Sequence, residues 1–204
     1  TLTLLEERQS LCPRMAAELR KLIHNRRAFL VTGATGSGKT TVLSAMIAEV
    51  PEHERIVIVE DSAELKPRHP HVVSLEGRPA NVEGAGQVTM RDLIRQSLRM
   101  RPDRLIVGEV RGAEVSDMLA AMNTGHEGGA ATVHANSPRD VPARLAALGA
   151  TAGMSRETTW LQAASAIDAI IHVGRGRSGQ RRVLELATLS TNSGGDLVVT
   201  TSLR

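Results

Sequence analysis

The chain has 204 residues, 41% of them apolar, which suffices for a sizeable core and excludes a disordered segment. Lys and Arg exceed Asp and Glu by only 25 to 22, and one Phe, one Trp and no Tyr leave no aromatic platform, so direct nucleic-acid binding is not expected. Cys12 builds no disulfide framework, and no signal peptide and no apolar run of roughly 20 residues accompany it, which points to the cytoplasm. A helical pattern opens the chain over 3–25, followed by an apolar strand at 28–31 and a helix over 39–49. Strands follow at 55–59 and 72–75, then an irregular Gly-rich loop at 76–87 that reads as functional. Helices at 89–100 and 112–123 flank a strand at 105–107, and a strand at 130–133 precedes helices at 139–148 and 156–166. The chain closes with strands at 169–173, 183–189 and 197–200. Several strands are unbroken Val/Ile/Leu runs, which suits a parallel sheet covered on both faces. The alternation predicts an α/β fold with helices on both faces of a mostly parallel, twisted sheet. Asn192-Ser193-Gly194-Gly195 predicts that the last two strands form an antiparallel edge hairpin.

Between the first strand and the helix at 39 stands Gly33-Ala34-Thr35-Gly36-Ser37-Gly38-Lys39-Thr40-Thr41, of the form G-x-x-x-x-G-K-T. Glycines let backbone N–H groups turn inward around a phosphate, and the helix that follows adds its positive end. Lys39 is placed to reach the β- and γ-phosphates of ATP, and the Thr40 hydroxyl to ligate Mg²⁺. At average Gly usage of about 7%, chance gives this pattern in roughly one chain in a hundred of this length, and the strand–loop–helix setting lowers that further.

A P-loop needs a carboxylate from a neighbouring strand tip. Ile56-Val-Ile-Val-Glu60-Asp61 ends one apolar run in acids, and Leu105-Ile-Val-Gly108-Glu109 ends another, with Gly108 permitting close backbone approach. Glu109 departs from the usual Asp. His126 and His134 bracket the strand at 130–133, where an imidazole can sense a γ-phosphate or its attacking water. Zinc is the rival, but no cysteine or acidic ligand set accompanies these histidines.

Taken together, these residues resemble the secretion ATPases of the type II/type IV superfamily, and within it the ATPase of tight-adherence (Tad/Flp) pilus systems. The resemblance runs from about Leu11 to Leu189 and covers four ordered motifs. Gly33–Thr41 matches Walker A, and Ile58-Val-Glu60-Asp61-Ser-Ala-Glu64-Leu matches the Asp box. Arg101-Pro-Asp103-Arg-Leu-Ile-Val-Gly-Glu109-Val-Arg111 matches an atypical Walker B that carries Glu, and Thr124-Gly-His126 through His134-Ala-Asn-Ser matches the His box.

The resemblance implies a RecA-like P-loop motor that hydrolyses ATP with Mg²⁺ in a ring, usually a hexamer, at the inner face of the cell membrane. The membrane contact is indirect, through an inner-membrane platform protein. Glu60 would orient or activate water, Glu109 would hold the Mg²⁺ shell, and His134 would sit near the γ-phosphate; both acids stay open as the base. Residues 1–27 would be the connecting helix from an N-terminal domain, and 28–204 the motor domain. Arg78, Arg91, Arg95, Arg99, Arg101 and Arg111 include candidates to face a neighbouring subunit's ATP, against the plainer reading of a solvated basic helix face with intradomain ion pairs. Arg91, Arg95 and Arg99 share one helix face. The rival readings are a DNA translocase or helicase, which the near-neutral charge disfavours, and a small-molecule kinase, which leaves the acid pair and His box unexplained.

Overall fold

A computed structural model describes residues 1–125, 127–176 and 179–204. The first half reads α1 (Leu2–Glu7), α2 (Pro13–His24), β1 (Phe29–Thr32), α3 (Lys39–Ile47), β2 (Ile56–Glu60), β3 (Val72–Glu76) and α4 (Met90–Arg99). Then come β4 (Arg104–Val110), α5 (Glu114–Asn123), β5 (Ala130–Val133), α6 (Val141–Thr151), α7 (Arg156–Ala166), β6 (Ala169–Arg175), β7 (Arg181–Thr191) and β8 (Leu197–Leu203). The strands form one sheet in the order β3-β2-β4-β5-β1-β6-β7-β8. Every pairing from β3 across to β6 is parallel, and β6–β7 and β7–β8 are antiparallel.

Side chains alternate across a strand, so each apolar run feeds two cores. Leu30, Val57 and Val59 join a cluster with α4, α5, α6 and α7 on one face. Phe29, Val31, Ile56 and Ile58 join α1, α2 and α3 on the other. This is why β1 and β2 are buried at every position and carry no polar face. The expected mixed α/β architecture is therefore present, and the antiparallel edge is wider than the sequence suggests, because β6 also turns back into β7.

The single helix expected over 3–25 is two. Gln9 takes φ 55°, Ser10 N and Leu11 N both donate to Leu5 O at 2.9 and 3.2 Å, and Pro13 opens α2. A proline fits the first helical turn, where its missing N–H has no partner to lose, but not a helix interior. Both helices bury their apolar stripes, with Leu2, Met15, Ala16 and Leu19 at no more than 1% exposure. α4 starts at a capping box in which Asp92 N donates to Thr89 Oγ1 and Thr89 N donates to Asp92 Oδ2. α6 and α7 are pinned by Trp160, whose Nε1 donates to Pro142 O at 3.1 Å and whose ring lies under the Arg156 guanidinium at 4.9 Å. No helix among the described residues is long and apolar enough to cross a membrane.

At the end of the sheet where the parallel strands begin, a buried cation holds three elements together. Arg104, 1% exposed, donates from Nε to Glu54 Oε2 at 2.6 Å and from Nη2 to Ile23 O at 2.8 Å. Arg26 adds weaker contacts to Glu54 and Asp103 at 3.9 and 3.6 Å. Removing one partner of a buried pair strands the other charge, which costs far more than the pair is worth against an apolar substitute. Arg104→Met is expected to lower unfolding free energy in urea by about 3–5 kcal/mol, and adding Glu54→Met to recover most of it. A loss below about 1 kcal/mol in the single variant would show that Glu54 stays solvated.

Candidate functional site

Parallel strands all end on the same edge, so the polar residues that stop each apolar run are delivered to one place. A cleft of about 490 Å³ opens there, lined by the P-loop residues Thr35, Gly36, Gly38, Lys39, Thr40 and Thr41, by Glu60 and Glu64, by Glu109 and Arg111, and by Thr132 and Arg181. The loop leaves β1 at Gly33, whose φ is 151° and where a Cβ would stand 2.2 Å from Val173 O and 2.6 Å from Ser37 Oγ, so no larger residue fits. Gly38 caps α3 with no side-chain acceptor, which leaves the first N–H groups of the helix available to a ligand. Ser37 Oγ is buried and has no hydrogen-bond partner among the described residues. Lys39 is 9% exposed and folds back on its own loop, donating from Nζ to Gly33 O at 3.0 Å and Ala34 O at 3.1 Å. Burial pulls its pKa below the usual lysine value, against the pull of the Glu109 carboxylate.

The acids are held by separate devices. Glu60 ends β2 and is 5% exposed; its Oε1 accepts from Leu65 N at 3.1 Å and from Glu64 N at 3.3 Å. It lies under Gly108, where a Cβ would come within 2.5 Å of Glu60 Cγ, so the glycine is the space the carboxylate occupies. Burial pushes the Glu60 carboxyl above the ordinary carboxylate range, and those two amides restrain the shift. Glu109 lies inside β4 rather than just beyond it, because the strand continues to Val110 through a register shift between Val107 and Val110. An irregularity of that kind re-aims a side chain that plain alternation would send to the other face. Its Oε2 accepts from Arg111 Nε at 2.7 Å. Thr40 Oγ1 donates to Glu64 Oε2 at 3.3 Å.

The remaining expected residues are spread more widely. His134 stands half-buried one residue past β5, whose Val133 pairs with Thr32 just before the P-loop, and it is not among the cleft-lining side chains. His126 lies outside the described residues. Arg91 and Arg95 both donate to Asp117 of α5 at 2.7 Å, so their charge is engaged within the domain. Arg78 donates to Gly86 O at 2.8 Å, fastening the 76–87 loop on itself beside a second cleft of about 580 Å³ that shares Asp61 and Arg111 with the first. Sequence reasoning gave no role to Glu64, Thr132 or Arg181. Glu64 was visible in the Asp box and Thr132, which donates to Gly108 O at 2.6 Å, in the His box; Arg181 carried no signal beyond a Gly- and Arg-rich turn.

The family described as type II/IV secretion system protein matches residues 5–193. A Mycobacterium tuberculosis (strain H37Rv) protein assigned by name to conjugal transfer is 58% identical over 188 residues, covering 92% of this chain and 53% of that protein. Among solved structures, the VirB11 ATPase of the Brucella suis type IV secretion system, in complex with sulphate, matches with a TM-score of 0.75 at 30% identity over 92% of this chain and 54% of that one. The pilus retraction motor PilT with bound ADP matches with a TM-score of 0.68 at 28% identity over 87% of this chain and 52% of that one. The chain thus spans about half the length of the relatives it matches.

The protonated form of Glu60 is the one that burial favours. Its contribution to stability is therefore complete below the ordinary carboxylate pKa and is lost as pH rises through the elevated folded value. Glu60→Gln keeps the shape and removes the charge, so its gain in urea midpoint over the parent is expected to be larger at about pH 8 than at about pH 5. An equal gain at both would remove the case for a displaced carboxyl.

Proposed function

The chain belongs to the type II/IV secretion system protein family, and from that membership we propose that it is the motor domain of an ATPase that hydrolyses ATP to ADP and phosphate. The single observation carrying this reading is the convergence of the P-loop, Glu60, Glu64, Glu109 and Arg111 on one cleft. Among the described residues the groups fit a phosphate tail: unspent N–H groups at the start of α3, a Ser37 hydroxyl with no hydrogen-bond partner, and an ammonium held by two loop carbonyls. In this reading Gly33 to Thr41 wraps the phosphates, and Lys39 exchanges its carbonyl partners for phosphate oxygens. Thr40 and, through water, Glu109 would hold Mg²⁺, which would supply positive charge to the phosphates. Among the described residues no three His, Cys, Asp or Glu side chains are placed to hold a metal ion by themselves.

Glu60 is our choice for the residue that orients or accepts a proton from the attacking water, because its raised proton affinity suits a base closer to neutral pH. His134 and His126 are assigned to the γ-phosphate side and Arg111 to the nucleotide once it releases Glu109. The motor works as a ring of six copies, on the cytoplasmic side of a membrane, pushing on an inner-membrane platform protein in pilus assembly or secretion. Residues 1–27 connect to a domain ahead of the motor. The nucleotide-binding part of this reading is supported by two solved structures that the chain resembles, a secretion ATPase in complex with sulphate and a pilus motor with bound ADP.

Phosphate release from ATP tests the reading. Lys39→Ala is expected to abolish it with the circular dichroism spectrum unchanged, and retained turnover would refute the assignment. Glu60→Gln is expected to slow turnover by about 10²–10⁴-fold while ATP remains bound, as read by chromatography of the nucleotide recovered from the protein. Normal turnover in that variant would transfer the role to Glu109.

A further inference from the structure

The first residue of β7 is an arginine that lies against the phosphate loop. β6 supports that loop from beneath: a Cβ at Gly38 would stand 3.8 Å from Val173 Cγ1 and 3.6 Å from Arg181 Cδ. Arg181 opens β7 opposite Arg175, and the strand pair is fixed from outside the site. Val183 N donates to Ser10 O at 2.9 Å, Gln180 Nε2 donates to Arg8 O at 2.7 Å, and Gly176 N donates to Gln180 O at 2.9 Å. The Cα of Arg181 is thus held in place by the α1–α2 joint, while its side chain is exposed in the cleft.

The cations that line the cleft differ in what already holds them. Lys39 is engaged by Gly33 O and Ala34 O, and Arg111 by Glu109. Arg181 has neither a hydrogen bond nor an ion pair from its side chain among the described residues, although Glu60, Asp61, Glu64 and Glu109 line the same cleft. A guanidinium at the uncapped start of α3, with no carboxylate committed to it, has the form of a phosphate ligand: planar, permanently charged and able to donate two parallel hydrogen bonds.

We propose that Arg181 is a phosphate-binding residue acting within its own chain, its guanidinium donating to the phosphate oxygens of a nucleotide seated on the Gly33–Thr41 loop. The inference rests on the proposed nucleotide site and adds to it a ligand from β7, two strands beyond the strand that bears the loop. Because the residue reaches the loop of the same chain, the contact does not require a second copy.

Titration calorimetry with ADP and, separately, with inorganic pyrophosphate separates this inference from the reading beneath it. Arg181→Gln is expected to weaken both ligands about 10-fold with the melting temperature unchanged, and Arg181→Lys to recover part of the loss. Lys39→Ala, run alongside, weakens both through the loop itself. Wild-type affinity for both ligands in Arg181→Gln, with Lys39→Ala impaired, overturns the inference and leaves the nucleotide site standing. A loss that tracks a lowered melting temperature and that Arg181→Lys fails to recover marks a structural role, and overturns it too. A parent chain that takes up neither ligand brings down the site, and the inference with it.

Discussion

A strand that runs parallel to its neighbour cannot be reached by a tight turn; the chain must leave at one edge of the sheet and re-enter at the other. Every crossover from β1 to β6 obeys that requirement, so each apolar run is forced to shed its last, polar residues at the same edge. Gly33, Glu60, Glu109 and His134 are distant in sequence and share that edge for this reason alone. The opposite edge receives the strand beginnings, and there the Arg104–Glu54 pair and the Ile23 carbonyl close the sheet against α2. One constraint of connectivity thus separates a structural end from a chemical one.

Within the chemical end, Lys39, Thr40, Glu60 and Glu109 already have partners, whereas the Ser37 hydroxyl and the Arg181 guanidinium have none among the described residues. Lys39 rests on loop carbonyls, Thr40 on Glu64, Glu109 on Arg111, and Glu60 on two backbone amides. A buried group left without a partner costs about 1–3 kcal/mol, more when charged, so a site of this density needs interim contacts. In the proposed nucleotide complex those contacts would be exchanged for phosphate rather than made anew, which would keep the net gain from any one of them modest. The Glu60 amides are the exception, since they belong to the backbone of the Asp box itself and have no reason to leave.

The parts legible in sequence are those whose physics is local. A loop that wraps a phosphate needs consecutive residues, so Gly33 to Thr41 declared itself, and Glu60 stood out because an apolar run ended there. What escaped depends on neighbours far along the chain. The apolar stripe of α1 continues in phase into α2, so only Gln9 and Pro13 mark the break, and a single proline competes poorly with a long periodicity. The β4 register shift that turns Glu109 depends on pairing with β5, which no pattern within β4 encodes. Arg91 and Arg95 repeat at helical spacing, and their engagement by Asp117 becomes visible only when α4 lies beside α5. Arg181 is the extreme case, its place set by the pairing of β7 with β6 and by a joint more than a hundred residues earlier.

The scarcity of aromatic side chains has a practical corollary. Trp160 is the chain's sole indole and no phenol competes with it, so ultraviolet emission excited at the red edge arises from a single spot where α6 meets α7. Neither helix contributes to the cleft at the strand tips. The natural fluorophore is therefore a reporter of whether the layers hold together, optically blind to events at the phosphate loop, and following those by light calls for a dye placed on the other side of the sheet.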